Sequence, residues 1–574
     1  MHLASRTALL AAALIALPSA MRAGERLNVL LVSIDSLRRD ALGCYGARLP
    51  YAPGVSPTPH LDDLAASGVR LTDAYAPSPW TLPSHVSLLT GMSPLVHGVE
   101  TDLQTMSGGS PTLAEVLRGA GYRTAGVFSG PYLEEIWGFG RGFERYTAAY
   151  GPSVASSSAL LDRLSENIIE ADRAGDAAMA EELRWLRRAG AARIGQLSSA
   201  DVSAERVTAR ALEELARFGA GPAPWFLFVH YFDVHYDYIP PPPWDRAFDP
   251  HYDGHLTGEG FVSNPEIAVP DASVPDGYVR RVSDRDLEHL RALYMGEAAW
   301  VDQHVGRLVA RLDAMGLAGR TLVIVTSDHG DEFFEHGGIG HRRNLAEAVI
   351  RVPMLLRLPG VLPANHAEPG LVSLTDVTPT ILEIVGVPSP APMSGQSILP
   401  LGAIDEGARR PLLSRLVRIY DGVMHADDGT VPIRTATVQE AFRYGTIKIV
   451  RRRRWTLLPP TLPEGARERA QKYSNRQFRQ EELAWVDLAR AADVPSAYST
   501  DFREPAAHRA LGVVRRRYRR LQAVRSVVMH DEPIGAVLRS KLAGLGYLTE
   551  SAAPTSPLQG FLLPVPGARS AGPP

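Results

Sequence analysis

The sequence has little cysteine, little lysine and no long apolar run beyond its first residues. Cys44 is the only cysteine in 574 residues, which excludes an internal disulfide framework and a cysteine-rich zinc site. Past the N-terminal segment no stretch reaches about 18 uninterrupted apolar residues, so we expect no integral membrane segment in the mature chain. The formal net charge of −3 argues against a protein whose whole surface binds nucleic acid, and no nucleic-acid partner is expected.

Lysine supplies only three of the 60 basic residues. Together with abundant alanine, glycine, proline and arginine, this bias is typical of a GC-rich bacterial coding sequence and indicates nothing about function. The remaining composition, 45% hydrophobic and 21% charged, is ordinary for a globular protein. The length predicts two to four domains, or one large α/β domain with a small one.

Residues 1–23 have the layout of a secretory signal peptide. His2 and Arg6 precede an apolar run from Ala8 to Leu17, and small residues around Ala20 provide a cleavage site. The run is too short to span a bilayer comfortably, which makes an uncleaved anchor the less favoured alternative. We therefore expect export from a bacterial cell, with the mature protein periplasmic or secreted.

Short apolar runs alternate with helical patterns along the next part of the chain. The predicted buried strands are Asn28–Ile34, Tyr122–Phe128, Trp225–Tyr231, Thr321–Ser327 and Val352–Leu358. The predicted helices include Thr112–Ala120, Ala204–Arg217, Asp284–Met315 and Asp376–Gly386. Continuous apolar strands that alternate with helices predict an α/β fold with a mainly parallel sheet covered on both faces.

Changes in composition along the sequence also predict domain boundaries. We expect a catalytic domain over residues 24–400, with a helical insert at 152–200 and a long surface loop at 240–283. A smaller C-terminal α+β domain is expected over 401–551, where basic clusters appear. The tail at 552–574 is rich in Pro, Ser and Gly and is predicted to be disordered.

Polar side chains follow three of the predicted strands. Asp35 follows the first, Asp233 and His235 follow the strand that ends at Tyr231, and Asp328 with His329 follow the strand that ends at Ser327. Ligands of open α/β sheets bind at the carboxyl ends of strands, so we expect these groups to meet there. Asp35 and Asp328 are suited to a hard cation. A helix-capping role is the plainer alternative for Asp35.

Thr81 is the candidate nucleophile. Pro83 fits the first turn of a helix, so Thr81 is predicted at the helix N-terminus, where backbone N–H groups stabilise an anion. A threonine hydroxyl needs a base or a metal to activate it. The plainer alternative is a capping threonine.

The segment TSDHGDE, which contains Asp328 and His329, is dense in metal-ligand residue types and is followed by His341. A solvated polar loop accounts for its other acidic and histidine residues, namely Asp331, Glu332, Glu335 and His336. In the segment VHYFDVHYDYIPP, one histidine is a candidate proton donor to a leaving group. A half-buried aromatic cluster is the alternative there.

Several blocks, in order from residue 28 to about 400, resemble the sulfatase family of the alkaline-phosphatase superfamily. They are NVLLVSIDSLRRDALGCYG, SPTPHLDDLAASGVRLTDAYA, TLPSHVSLLTGMSPLVHGV, WFLFVHYFDVHYDYIPP, YMGEAAWVDQHVGRLVARL, VIVTSDHGDEF, HRRNLAEAVIRVPMLLRLPG and VSLTDVTPTILEIVGV. The resemblance implies the family's α/β fold, a catalytic cation and attack of an enzyme nucleophile on a sulfate or phosphate centre. It implies that Asp35, Asp328 and His329 bind the metal. It places Thr81 at the nucleophile position, and His85, His235 and His341 where groups contact the anion or the leaving oxygen.

The sequence also departs from the family pattern. Most sulfatases carry Cys or Ser in a Cys-x-Pro-Ser-Arg block that is oxidised to formylglycine, whereas this block is Thr81–His85. No formylglycine is expected, and Cys44, in a different motif that lacks the proline, is not its source. His341 stands where the family has lysine, and Ser36 replaces a second carboxylate after Asp35.

Chemistry favours a phosphate ester over a sulfate ester. A formylglycine hydrate expels sulfate by collapsing to the aldehyde, but a threonine ester must be opened by attack on phosphorus or sulfur. We expect an exported, metal-dependent hydrolase of phosphate mono- or diesters, or of sulfate esters, on a small molecule, glycan or lipid. One cation, Mn²⁺, Zn²⁺ or Ca²⁺, would be held by Asp35, Thr81 Oγ1, Asp328 and His329. His235 or His341 would protonate the leaving group and His85 would hold a non-bridging oxygen.

Three alternatives remain at this stage. The first is an arylsulfatase-like enzyme that works through Thr81 without formylglycine. The second is a phosphoryl-group transferase of cell-envelope polymers, whose relatives with a threonine nucleophile carry membrane helices that are missing here. The third is a catalytically degenerate protein that binds anionic glycans, with the basic clusters Arg451–Arg454 and Arg515–Arg520 as contacts. A solvated or ion-paired face is the plainer interpretation of both clusters.

Overall fold

The computed structural model describes residues 26–48, 54–101, 104–106, 109–151, 201–271, 277–402, 410–426, 429–457 and 481–528, with five isolated residues between 167 and 179. Apart from those five, they belong to one compact unit formed by residues 1–151 and 199–529. The predicted signal peptide, nearly all of the predicted insert at 152–200 and the predicted disordered tail lie outside the described residues. The predicted domain boundary at residue 400 stays a prediction.

A nine-stranded sheet forms the centre of this unit, with strand order β11-β2-β12-β8-β1-β5-β3-β4 and β13 paired to β2. Its strands are β1 (Asn28–Ile34), β2 (Val69–Tyr75), β3 (Arg123–Phe128), β4 (Arg145–Ala148), β5 (Trp225–Tyr231), β8 (Thr321–Ser327), β11 (Arg351–Val352), β12 (Met354–Arg357) and β13 (His366–Ser373). Strand β1 lies between β5 and β8 and is parallel to both. Mixed α/β architecture with a mainly parallel sheet is therefore confirmed.

The central strands are buried on both faces, as their continuous apolar sequences predict. Every residue of β1, β5 and β8 is buried. Alternate side chains point to opposite faces, so Val29 and Leu31 join one hydrophobic cluster while Leu30 and Val32 join the other. The two clusters are the layers that hold helices against the sheet.

Nine helices cover the sheet and its extensions in the described part of the chain. They are α1 (Pro59–Ala66), α2 (Thr81–Thr90), α3 (Pro94–His97), α4 (Leu113–Gly119), α5 (Ala204–Phe218), α6 (Asp284–Ala314), α7 (Glu347–Ile350), α8 (Val377–Ile384) and α9 (Pro505–Val528). Capping boxes start two of them: Thr112 with Glu115 at α4, and Ser283 with Asp286 at the 31-residue α6. Among the described residues, no helix is both long and apolar enough to cross a membrane.

The C-terminal part is an antiparallel sheet with one long helix. The sheet runs in the order β14 (Leu412–Ala426), β15 (Gly429–Tyr444), β16 (Ile447–Leu457), β17 (Glu481–Asp487), and α9 packs beside it. Two short hairpins, β6 (Ala268–Pro270) with β7 (Tyr278–Arg280) and β9 (Glu332–Phe333) with β10 (Ile339–Gly340), complete the strands. The expectation of a smaller α+β part after the main sheet is confirmed.

The predicted strand Val352–Leu358 differs from the structure. Pro353 divides this segment into β11 and β12, because proline has no N–H to donate to a neighbouring strand. Both pieces run antiparallel to β2, and β12 also runs antiparallel to β8. An apolar run alone does not show strand direction, so the antiparallel strands at this edge of the sheet are not predictable from the sequence.

Candidate active site

The candidate site lies at the carboxyl ends of the three central strands. In the register of the sheet, Ile34 of β1 is opposite Tyr231 of β5 and Ser327 of β8. The residues that follow Ile34 and Ser327, Asp35 and Asp328, are therefore brought to one edge. Both side chains are fully buried, and the backbone N–H of Asp35 donates to the Tyr231 carbonyl at 2.8 Å. The sheet itself fixes the spacing of the two carboxylates.

Helix α2 brings the candidate nucleophile to these carboxylates. Its first residue is Thr81, whose Oγ1 lies 3.3 Å from Asp35 Oδ2 and 3.4 Å from His329 Nε2. The N-cap residue is Trp80, and no side chain caps the helix. The plainer alternative of a capping threonine therefore does not describe Thr81, whose hydroxyl faces the buried carboxylates.

Asp35, Asp328 and His329 form a donor set for a cation. Their ligand atoms lie within 4.8 Å of one another. Asp328 Oδ1 accepts the backbone N–H groups of Ser36 and His329, but Asp328 Oδ2 is buried without a hydrogen-bond partner among the described residues. His329 Nδ1 donates to the Gly330 carbonyl at 3.1 Å, which leaves Nε2 as the ligand atom. An orphaned carboxylate oxygen beside a second carboxylate and an imidazole fits a divalent cation.

The electrostatics of this set support the same conclusion. Burial raises the pKa of Asp328 well above its usual value, and the neighbouring Asp35 raises it further. Burial also raises the pKa of Asp35, but the adjacent His230 ring and other nearby histidines outweigh it and lower that pKa. Burial lowers the pKa of His329 to about 3, so its ring is neutral and can act as a ligand. Two buried acids this close need a positive charge for both to ionise.

Ser36 has a positive φ of 56°, an uncommon conformation for a residue with a side chain. It follows Asp35 directly, and its backbone N–H donates to Asp328 Oδ1 at 3.2 Å. The left-handed turn therefore ties the loop after β1 to the loop after β8.

His85 lies behind Thr81. Its Nδ1 donates to the Thr81 carbonyl at 2.9 Å and its Nε2 accepts from the Ser33 hydroxyl at 2.9 Å. The ring is fully buried, and burial lowers its pKa to about 3. Since both ring nitrogens are occupied, the expectation that His85 contacts a non-bridging oxygen does not fit this geometry. The ring instead supports the first turn of α2.

His341, which follows β10, forms a pair with Asp331, which lies just before β9. Nδ1 of His341 donates to Asp331 Oδ1 at 2.7 Å, and Tyr238 donates to Asp331 Oδ2 at 2.9 Å. The His341 ring lies 4.3 Å from that of His329. Burial and the neighbouring His235 lower the pKa of His341 well below its usual value. A second donor set contains His329, Asp331 and His341, but both Asp331 oxygens already accept hydrogen bonds, so we regard Asp331 as the residue that orients His341.

The expectation of a solvated loop for Asp331 and Glu332 is wrong, because both side chains are fully buried. Glu332 accepts the backbone N–H of Gly338 at 3.0 Å and also bonds to Asn344 at 2.5 Å. These contacts close the loop that carries His341. The acidic residues after Asp328 thus shape the site from inside the fold.

His235 reaches the site from the loop after β5. Its ring is 4.9 Å from that of His341 and is partly exposed, while its Nδ1 donates to the Tyr236 carbonyl at 2.6 Å. The flanking backbone N–H groups of Val234 and Ile239 donate to the buried Glu297 carboxylate of α6, at 3.0 and 2.8 Å. Glu297 therefore clamps the loop that presents His235.

Sequence reasoning missed three residues of this arrangement. His230 is one of the two histidines of VHYFDVHYDYIPP, and nothing in the sequence places it beside Asp35, yet its Nε2 lies 3.4 Å from Asp35 Oδ2. Asp331 was assigned to a surface loop. Glu297 lies inside the block YMGEAAWVDQHVGRLVARL, and the one signal for it was an acidic residue on the apolar face of a helix.

Comparisons with known proteins identify a family and several relatives of this chain. A family model described as Sulfatase matches residues 27–387. Choline-sulfatase of Rhizobium meliloti is 26% identical over 63% of this chain and 68% of its own length, and iduronate 2-sulfatase of Mus musculus is 25% identical over 66% and 72%. The match to arylsulfatase K of Rattus norvegicus, 37% identical, spans only 21% of this chain and 22% of that protein.

Solved structures share the fold. A phosphonate monoester hydrolase from Silicibacter pomeroyi superimposes with a TM-score of 0.57 at 21% identity, over 89% of this chain and 97% of that chain. The phosphonate monoester hydrolase of Agrobacterium radiobacter gives a TM-score of 0.56 at 20% identity, over 88% and 96%.

Proposed function

The chain belongs to the sulfatase family, and we propose that it hydrolyses phosphate or sulfate esters with the Thr81 hydroxyl as nucleophile. One observation carries the proposal: Thr81 Oγ1 lies 3.3 Å from Asp35 Oδ2 and 3.4 Å from His329 Nε2, inside a buried set of cation ligands. A threonine with only a structural role would not require a buried set of cation ligands around its hydroxyl. Relatives named choline-sulfatase and iduronate 2-sulfatase indicate ester hydrolysis as the general chemistry.

Asp35, Asp328 and His329, with Thr81 Oγ1, would hold one divalent cation. Mn²⁺, Zn²⁺ and Ca²⁺ all suit two carboxylates and one imidazole. When bound, such an ion lowers the pKa of a hydroxyl and polarises an anionic ester. The chain supports the ligands from behind: the Ser36 N–H holds Asp328 and the Gly330 carbonyl holds His329.

Thr81 would attack the ester in line. Its hydroxyl donates to Asp35 Oδ2, and its position at the start of the ten-residue α2 places it in the positive end of the helix dipole. His85 fixes this turn by accepting from Ser33 and donating to the Thr81 carbonyl. In the attack the Thr81 hydroxyl proton would pass to Asp35 Oδ2, the Thr81 oxygen would bond to phosphorus or sulfur, and the bond to the leaving oxygen would break. The alkoxide released in this way needs a proton.

The pKa of the His341 ring is lowered by burial, but the negative charge of a bound ester would raise it, and His341 is then the better-supported donor of that proton. Asp331 contacts its Nδ1 at 2.7 Å, and a carboxylate there stabilises a positive charge on the ring, as in other carboxylate–histidine pairs. Nδ1 of His235 instead contacts a neutral carbonyl. His235, which is partly exposed beside His341, would then contact the bound ester.

A threonine ester would favour phosphate over sulfate as the centre that is attacked. It has no carbonyl form to collapse to, so water must attack phosphorus or sulfur to release the second product. Phosphoryl esters held by a cation are opened in this way, which favours phosphate or phosphonate over sulfate as the preferred centre. The names of the two structural neighbours reported above, phosphonate monoester hydrolases, add phosphonates to the candidates.

The test compares Thr81→Ala with Thr90→Ala. Thr90 is a buried threonine at the other end of α2, and its hydroxyl donates to the Val86 carbonyl at 2.6 Å and accepts from the Met92 N–H at 3.3 Å. Both variants and wild type are assayed on nitrophenyl phosphate, bis-nitrophenyl phosphate, a phenylphosphonate ester and nitrophenyl sulfate. We expect Thr81→Ala to lose about 10⁴-fold or more in kcat and Thr90→Ala to stay within a few-fold.

Retained activity in purified Thr81→Ala would overturn the nucleophile assignment. A positive signature is also available: after rapid quenching, the peptide that contains Thr81 should carry the mass of a phosphoryl or sulfuryl group. Metal content gives a readout that does not depend on turnover. We expect about one divalent ion per chain in wild type and a clear loss in Asp328→Asn, with chelation abolishing activity in wild type.

We also propose that residues 1–23 direct export from a bacterial cell. The support is the basic start, apolar run and small-residue site described above. Mass spectrometry of protein from the periplasm or medium should find a chain that starts after Ala20 or Ala23. An intact N-terminus on protein retained in the cytoplasm would contradict export.

A further inference from the structure

Helix α9 carries a concentrated positive charge. Its 24 residues contain no Asp or Glu. Five of its arginines have exposed side chains, and we call them the arginine stripe: Arg509, Arg515, Arg516, Arg519 and Arg520. None of the five forms an ion pair with an acidic residue in the part of the chain that the structure describes.

The stripe occupies one side of the helix. At 100° per residue, the five side chains fall within an arc of about 140° and extend along about 16 Å of the axis. Ala507, Ala510, Val514 and Leu521 lie on the opposite side and are buried. Ala510, Val514 and Leu521 pack in a hydrophobic cluster that includes Phe442 and Ile449 of the antiparallel sheet.

The other basic cluster of the C-terminal part is different. Arg451 and Arg453 on β16 both contact the buried Glu440, at 2.7 and 3.2 Å. Arg451 also lies over the ring of Tyr518, 4.5 Å from its centroid. Arg451 and Arg453 therefore have an acidic partner inside the fold, whereas the five arginines of the stripe face solvent.

The position of the stripe limits which anionic partner fits. A helix that inserts in a membrane surface needs its apolar side free, but the apolar side of α9 is buried in the fold. Single-stranded nucleic acid is bound with exposed aromatic rings, and Tyr518, the one aromatic residue of α9, is covered by Arg451. An extended anionic polysaccharide needs only rows of cations, and residues three or four apart on a helix supply them about 5–6 Å apart.

We propose that the arginine stripe binds an anionic polysaccharide, by charge-assisted hydrogen bonds from its guanidinium groups to sulfate or phosphate substituents. This binding goes beyond the proposed hydrolysis and needs neither Thr81 nor a cation. A tethered polymer raises the local concentration of its own ester groups. The stripe would therefore lower KM for polymeric substrates and leave small esters unaffected.

The test replaces all five stripe arginines by glutamine. The matched control removes five exposed arginines scattered over the described chain, Arg48, Arg118, Arg210, Arg281 and Arg311, so that both variants lose the same net charge. Binding of dextran sulfate and of unsulfated dextran is measured by calorimetry in a Thr81→Ala background. We expect at least tenfold weaker binding of dextran sulfate by the stripe variant and less than threefold weakening by the control.

The dependence of dextran sulfate binding on salt concentration gives a second test. Over about 0.05 to 0.2 M salt, the slope of log affinity against log salt should be smaller for the stripe variant, because fewer counterions are released. If the five-fold variant does not fold, Arg516→Gln with Arg520→Gln gives the same test with a smaller expected loss. Equal weakening by stripe and control variants would overturn the proposal, as would binding of unsulfated dextran or a stripe-dependent preference for phosphatidylglycerol vesicles or duplex DNA over dextran sulfate.

Discussion

Replacement of Lys448 by methionine should unfold the junction between the antiparallel sheet and the loop that carries His341. Lys448 on β16 is one of three lysines in the chain and is fully buried. Its Nζ donates to the Leu345 carbonyl at 2.7 Å and to Asp493 at 2.8 Å, and lies 3.3 Å from Glu347. Methionine keeps the apolar stem and removes the charge and all three contacts.

The expected loss of stability in Lys448→Met follows from the burial of the lysine and its acidic partners. Removal of one partner from a buried ion pair leaves the other without compensation and costs about 3–5 kcal/mol. Burial alone raises the pKa of Asp493, but Lys448 and Tyr498 lower it below the usual value. A lowered pKa stabilises the fold above the pKa of the unfolded carboxyl and loses that effect as pH falls. The cost of Lys448→Met should therefore shrink below about pH 4.

Urea unfolding at neutral pH, followed by circular dichroism, measures this cost. Arg452→Met is the control, because Arg452 lies on the same strand with an exposed side chain and should change the free energy of unfolding by less than about 0.5 kcal/mol. A double-mutant cycle with Asp493→Asn should show at least about 1 kcal/mol of coupling. If Lys448→Met matches the Arg452→Met control, the inferred role of the buried lysine is refuted.

Two further predictions concern α6, which holds both Glu297 and Asp302. Glu297→Gln presents an amide to one of the two backbone N–H groups that Glu297 accepts, at a cost of about 1–3 kcal/mol. It should loosen the loop that holds His235 against the bound ester and raise KM more than it lowers kcat; an unchanged KM would make the clamp purely structural. Burial raises the pKa of Asp302 to about 7, although it accepts the N–H groups of His60 and Leu61. Because the pKa of Asp302 is raised in the folded state, the free energy of unfolding of wild type should fall relative to that of Asp302→Asn as pH rises from about 4 to 7, by about 3–4 kcal/mol. If the two proteins show the same dependence of this free energy on pH, the prediction is wrong.

The central sheet could be predicted from the sequence because its signal is local. Asn28–Ile34, Trp225–Tyr231 and Thr321–Ser327 occupy the predicted bounds, since each is a continuous apolar run next to a polar exit. Ligands of parallel sheets bind at the carboxyl ends of the strands, and this rule predicts from the sequence that Asp35 and Asp328 lie close together. Local composition and one topological rule were sufficient.

The supporting residues could not be predicted because their partners are distant in sequence. Glu297 holds backbone groups about 60 residues away, and Lys448 reaches Leu345 across 103 residues. The burial of Asp331 depends on Tyr238, 93 residues earlier. The acidic composition of the segment after Asp328 is typical of a surface loop. Only the tertiary packing shows that Asp331 and Glu332 are buried.

The site draws on two kinds of elements, and this division has a practical consequence. Asp35 and Asp328 are set by hydrogen-bonded strands, whereas His235 and His341 come from loops held by Glu297 and Asp331. A laboratory selection for a new ester could randomise the two loops and leave the strand ends untouched. Libraries built that way should retain the ion and the attacking oxygen while the leaving-group preference drifts.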